Sequence, residues 1–152
     1  MAIEAPLSKH KRNNFIIGIV VLTGLAFWFA YDGCYNEAFA EKHTNQDGTP
    51  DSTLVFNRKS PPYLFGAVFI LGIYLFVIKD KKVVASEDSL VVGKLQIAYD
   101  SIQKIDKTHF DSKGYFVITY KDYQGVDADL KISDRTYDNL PDVLEHLISK
   151  IS

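Results

Sequence analysis

Two stretches of 19 residues carry no charge: 13–31, between Arg12 and Asp32, and 60–78, between Lys59 and Lys79. At about 1.5 Å per residue, each is long enough to cross most of a hydrocarbon core of roughly 30 Å. Leu, Ile, Val and Phe number ten within 15–31 and eleven within 63–78. At roughly −0.3 to −0.6 kcal/mol each near a membrane centre, insertion gains each block about 3 to 6 kcal/mol before polar terms. Neither block has a polar face, and a helix apolar all round needs burial on every side. A chain of 152 residues has too little mass to bury two such helices. The expectation is a transmembrane hairpin of helices 15–31 and 63–78, with a short segment 1–14 before it, a loop 32–62 within it and a folded domain 79–152 after it.

A cleavable signal peptide competes for the first block, because basic residues precede it and Ala38-Phe39-Ala40 fits the small-residue cleavage pattern. Its apolar core of 17 residues exceeds the usual length of about 7 to 15, which favours an uncleaved span. Basic residues near the span ends set orientation. Lys9, Lys11 and Arg12 precede the first span and Lys79, Lys81 and Lys82 follow the second, against Lys42, Arg58 and Lys59 in the loop. Six against three places both termini in the cytoplasm. Trp28, Tyr31 and Tyr63 stand where interfacial aromatic anchors belong. Between Ile78 and the first apolar run of the domain lie only Lys79-Asp80-Lys81-Lys82, a junction expected to hold the domain close to the membrane, with Pro61-Pro62 fixing where the loop enters.

The loop holds Cys34, the only cysteine, which excludes an internal disulfide and any all-cysteine metal cluster. A small apolar boundary residue is its simpler role, an intermolecular bridge the alternative. A short surface helix is expected over 35–41 and a strand-like run over 53–56. Between them His43, Asn45, Asp47, Gly48 and Asp51 align with the first nine positions of a calcium loop, but Leu54 stands where a bidentate Glu is required. A plain turn at Asp47-Gly48 is the expectation.

After Lys82 the apolar pattern changes to period two. Short runs at 82–85, 90–92, 95–99, 102–105, 115–120 and 126–132 read as six strands, separated by turn signals that include Gly93-Lys94, Ser112-Lys113-Gly114 and Gln124-Gly125. Leu140, Val143, Leu144, Leu147, Ile148 and Ile151 then recur at helical spacing, with Asp138 or Asn139 as cap and Pro141 in the first turn. The fold class is α+β with a membrane anchor: a small antiparallel sheet or partial barrel closed by one C-terminal helix. Residues 83–152 hold 12 acidic and 8 basic side chains, a balance that disfavours nucleic acid and anionic lipid surfaces.

The phrase Leu95-Gln96-Ile97-Ala98-Tyr99-Asp100-Ser101-Ile102-Gln103-Lys104-Ile105-Asp106, set among short strands before a terminal helix, resembles the bacterial pleckstrin-homology-like (PH-like) domains. The resemblance covers residues 82–151 and implies seven strands, one more than the sequence shows, and a bacterial inner-membrane location. Eukaryotic members that bind phosphoinositides use clustered Lys and Arg in the first hairpin. Here that hairpin reads Ser86-Glu87-Asp88-Ser89, so headgroup binding there is disfavoured.

Chemistry needs convergent groups, and few are available. Of His10, His43, His109 and His146 only the last two can meet; Asp127 and Asp129 share one face of a strand and read as solvated surface. The expectation is a non-enzymatic membrane protein without cofactor or metal. It is an accessory or scaffolding subunit whose domain binds other membrane proteins, with a lipid or envelope-stress sensor as the alternative.

Overall fold

The protein is described here by a computed structural model covering residues 2–152. The chain forms two units, one of residues 13–77 and one that joins residues 2–12 to 78–152.

The first unit is the apolar hairpin. Helix α1 (Lys9–Cys34) and helix α3 (Ser52–Ile78) are both long and apolar enough to cross a membrane, and only 6% and 11% of their most apolar windows are buried. Helices serving as the core of a soluble protein would be covered; these present Ile17, Val20, Phe69 and Phe76 outward. Their shared face is narrow and aromatic. Phe15 meets Tyr74, Phe27 meets Phe65 and Phe29 meets Phe56, with ring centroids 5.2, 5.3 and 5.5 Å apart. At the loop end the backbones touch. A Cβ on Gly33 would lie 2.7 Å from the Asn57 carbonyl carbon and 2.8 Å from the Arg58 nitrogen, while the Arg58 Nε donates to the Gly33 carbonyl at 2.8 Å. Gly24 has open space where its side chain would stand.

Both helices are longer than the expected 15–31 and 63–78. The run 53–56 is helical, not strand-like, and Pro61-Pro62 lie inside α3 rather than at its start. The reason is local. Asp51 caps the helix by accepting the Leu54 N–H at 2.9 Å, Leu54 is buried and Phe56 packs on Phe29. The helix continues through the two prolines.

What remains of the loop is ordered by its own side chains. Asn36 caps α2 (Glu37–Lys42) through the Phe39 N–H, close to the helix expected at 35–41. His43 Nδ1 lies 2.8 Å from Asp51 Oδ2, and Asp47 accepts from both the N–H and the hydroxyl of Thr49 around Gly48, whose φ is +82°. The segment is a closed turn.

The Leu54 N–H foremost, then the His43 ring, hold the Asp51 carboxyl below its usual range, and the Thr49 hydroxyl and N–H do the same for Asp47. A lowered folded-state pKa contributes stability above the unfolded value that is lost as pH falls through the folded one. The Thr49 and Leu54 amide resonances should therefore hold their neutral-pH positions down to about pH 4 and move below it, and Asp51→Ala should displace Leu54 at every pH.

Among its described residues the second unit contains seven strands where six were expected. Strand β1 (Ile3–Pro6) lies in the segment 1–14, in which no strand was expected. It pairs antiparallel with β2 (Lys82–Ala85), Ile3 opposite Ala85 and Pro6 opposite Lys82. Strands β3 (Ser89–Val92) and β4 (Leu95–Ala98) complete a sheet of order β1-β2-β3-β4. A 3-10 turn at Tyr99–Ser101 leads to a second sheet of β5 (Ile102–Asp106), β6 (Tyr115–Lys121) and β7 (Asp127–Ser133), with the single turn of α4 (Phe110–Lys113) between β5 and β6. Gly93 turns the β3–β4 hairpin with φ +62°, as a glycine-first two-residue turn requires. Helix α5 (Leu140–Ile151) closes the core with Leu140, Val143, Leu144 and Leu147 against Ala5, Val83, Leu90, Ile97, Phe116, Ile118 and Ile132.

Strand β1 is locked at several points. Ala5 is fully buried, Lys82 Nζ pairs with Glu4 at 2.6 Å, and Asn139, which adopts a left-handed φ of +61° at the start of α5, donates to the Glu4 carbonyl at 3.2 Å. Asn139 holds the expected cap position without capping through its side chain. Asp138 serves α1 instead: its N–H donates to the Pro6 carbonyl and its carboxylate accepts the Lys9 N–H at 2.9 Å.

Two substitutions test the packing of the units. Ala5→Asp buries an unpaired carboxylate and should cost at least about 3 kcal/mol, read as lost protease resistance of residues 78–152. Gly33→Ala should lower the thermal midpoint of the hairpin in detergent, whereas Gly24→Ala should leave it unchanged.

Candidate interaction groove

The short connection after β5 is shaped by Asp106, which accepts the Thr108 N–H at 3.0 Å. The Thr108 hydroxyl foremost, then its N–H, lower the Asp106 carboxyl below its usual range, and Lys104 and His109 add to the effect. Phe110 turns inward and meets Phe116 edge to face at 5.7 Å. Gly114, in the left-handed region at φ +69°, ends α4 by donating its N–H to the Phe110 carbonyl.

Opposite this connection runs α5. Its orientation is fixed by contacts to the β2–β3 turn: His146 Nε2 lies 3.0 Å from the Ser86 carbonyl, which also accepts the Tyr99 hydroxyl at 2.7 Å, and Lys150 pairs with Glu87 at 2.6 Å. Burial foremost, with Asp88 nearby, raises the Tyr99 hydroxyl pKa. Between the two elements is an open groove of about 700 Å³. Phe110, Leu144 and Ile148 form its apolar floor, and Lys107, Asp111 and Glu145 stand along its rim. An apolar floor inside a mixed-charge rim suits a protein segment, since interfaces bury a hydrophobic centre within a polar margin.

The residues singled out from sequence have diverse settings. Lys82 is engaged by Glu4, and the backbone N–H of Lys9 by Asp138. Trp28 Nε1 donates to Asp32 at 2.7 Å, while Tyr31 and Tyr63 are exposed. Cys34 is exposed at the end of α1. His109 and His146 take separate partners, the Tyr115 ring at 5.4 Å and the Ser86 carbonyl. Asp127 pairs with Lys121 and Asp129 accepts the Thr119 hydroxyl, both on exposed surface as expected. Among the described residues no group of three or more His, Cys, Asp and Glu is arranged to hold a metal ion. The groove was not foreseen from sequence, although Phe110, an apolar residue alone between two turn signals, marks its floor.

No family model, curated protein or solved structure matches the chain.

Proposed function

We propose that the protein is an integral membrane scaffold or accessory subunit, without enzymatic activity of its own, whose PH-like domain binds a partner membrane protein through the groove between α5 and the β5–β6 connection. The groove's apolar floor and mixed-charge rim carry this reading. The PH-like assignment draws support from seven strands in sheets of four and three closed by a terminal helix, the strand count the family implies.

A bacterial inner-membrane location with both termini cytoplasmic belongs to the same reading. Supporting it, besides the basic residues at the span ends, is the β1–β2 ladder. Backbone hydrogen bonds cannot be made across a bilayer, so the strands before α1 and after α3 share one side, as two crossings require. Removal of the first 40 residues by a signal peptidase would also take away β1.

Purification of the full chain in mild detergent, with identification of what accompanies it, tests the proposal. A stoichiometric membrane partner should be retained by the native chain and lost from Lys107→Glu and Glu145→Arg, both at the exposed rim, with unchanged thermal midpoints. A monomer without partners, or a partner indifferent to both substitutions, would contradict it.

A further inference from the structure

On the outer face of the second sheet, away from the groove, three cations converge. Tyr115 stands opposite Ser133 and Val117 opposite Lys131, so Tyr115, Ser133 and Lys131 share one face of the β6–β7 ladder while Phe116 and Ile132 point to the core. Lys131 Nζ lies 3.8 Å above the Tyr115 ring, whose orientation is further set by the His109 ring. The end of α4 brings Ser112 and Lys113 to the same place, because the Asp134 N–H binds the Gly114 carbonyl at 2.8 Å and ties the two chain segments together. Arg135 follows directly, its N–H donating to the Ser133 hydroxyl oxygen at 3.3 Å and leaving the Ser133 proton free to donate elsewhere.

These six residues, Ser112, Lys113, Tyr115, Lys131, Ser133 and Arg135, line one cavity of about 290 Å³. Neither lysine nor Arg135 takes part in any of the ion pairs among the described residues. Of the neighbouring acids, Asp111 lines the groove beside α5, and the Asp134 carboxylate lies against the Gly114 backbone, next to the cavity but not among its lining residues. The contrast with composition is informative. Residues 83–152 carry a net charge of 8 − 12 = −4, yet three of those eight cations line one cavity whose lining contains no acidic residue.

Unpaired like charges repel, and holding three around a cavity is favourable when an anion sits among them. A single carboxylate needs one bidentate arginine. A phosphoryl dianion, with three acceptor oxygens, uses an arginine fork, ammonium donors and hydroxyls together. We propose that this cavity is a binding site for a phosphoryl group of the phosphate-monoester class. Lys113, Lys131 and Arg135 neutralise its charge, and the Ser112 and Ser133 hydroxyls take its remaining acceptor positions. The site is independent of the groove and of the partner proposed for it.

Calorimetric titration of the full chain in nanodiscs of zwitterionic lipid, using inorganic phosphate and O-phosphoserine, tests the site. Both should bind saturably and more tightly than acetate. Lys131→Gln combined with Arg135→Gln should weaken binding by about tenfold or more, and Lys94→Gln combined with Lys121→Gln should leave it unchanged. Lys131→Arg, which keeps the charge over the tyrosine ring, should retain most of it. Repeating the titration in nanodiscs containing phosphatidic acid identifies the source: suppressed phosphoserine binding assigns the site to the lipid headgroup, and unchanged binding to a soluble ligand. Absence of saturable binding at millimolar phosphate, or equal binding by the Lys131/Arg135 double variant, would overturn the proposal.

Discussion

The ladder between β1 and β2 is the constraint on which the rest of the structure depends. It joins residues 3–6 to residues 82–85, with both apolar helices in the chain between them. The hairpin is thus an insertion within a folded domain, not an anchor attached to a finished one. Two residues connect β1 to α1 and three connect α3 to β2. The ladder also supplies core: Ala5 is buried among Val83, Leu90 and the apolar face of α5.

This arrangement has consequences for how the chain folds. The first strand is made early and has no edge to pair with until β2 follows the second helix. Such non-local pairing is slow, because loop closure must precede the reward of contact. A hairpin whose helices pack by Gly33 against Asn57 and by three aromatic pairs keeps its ends together and so reduces the chain entropy that closing the ladder must overcome. Once formed, the segment after β1 is held by the Asp138 carboxylate accepting the Lys9 N–H and by the Ser8 N–H donating to the Thr136 carbonyl.

Much of the domain was legible because its elements obey simple periods. β2 has the bounds read from Lys82-Val83-Val84-Ala85, and the remaining five expected strands and the final helix lie within a residue or two of their apolar runs. β1 was not legible: Ile3-Glu4-Ala5-Pro6 offers two apolar positions at period two and a proline, too little to stand out, and its partner is distant in sequence. α3 was misjudged at its start because Thr53-Leu54-Val55-Phe56 has strand-like composition and Pro61-Pro62 resembles a break; capping by Asp51 and burial of Leu54 override those weak preferences. The basic cavity was hidden for another reason. Lys113, Lys131 and Arg135 come from α4, β7 and the turn beyond it, and only the pairing of β6 with β7 brings them together inside a segment that is acidic on average.

The most direct measurement of the split domain is an intramolecular disulfide between Glu4→Cys and Val84→Cys in a Cys34→Ser background, formed in isolated membranes by an added thiol oxidant that takes up the two electrons. These positions face each other in the ladder, where opposed Cα atoms lie about 4.5 to 5.5 Å apart, within disulfide reach. Rapid, near-complete bridging within one chain is predicted, with little between Glu4→Cys and Leu95→Cys on the far strand of the same sheet. Absence of the intramolecular bridge, or bridges formed only between chains, would show that β1 does not complete the domain.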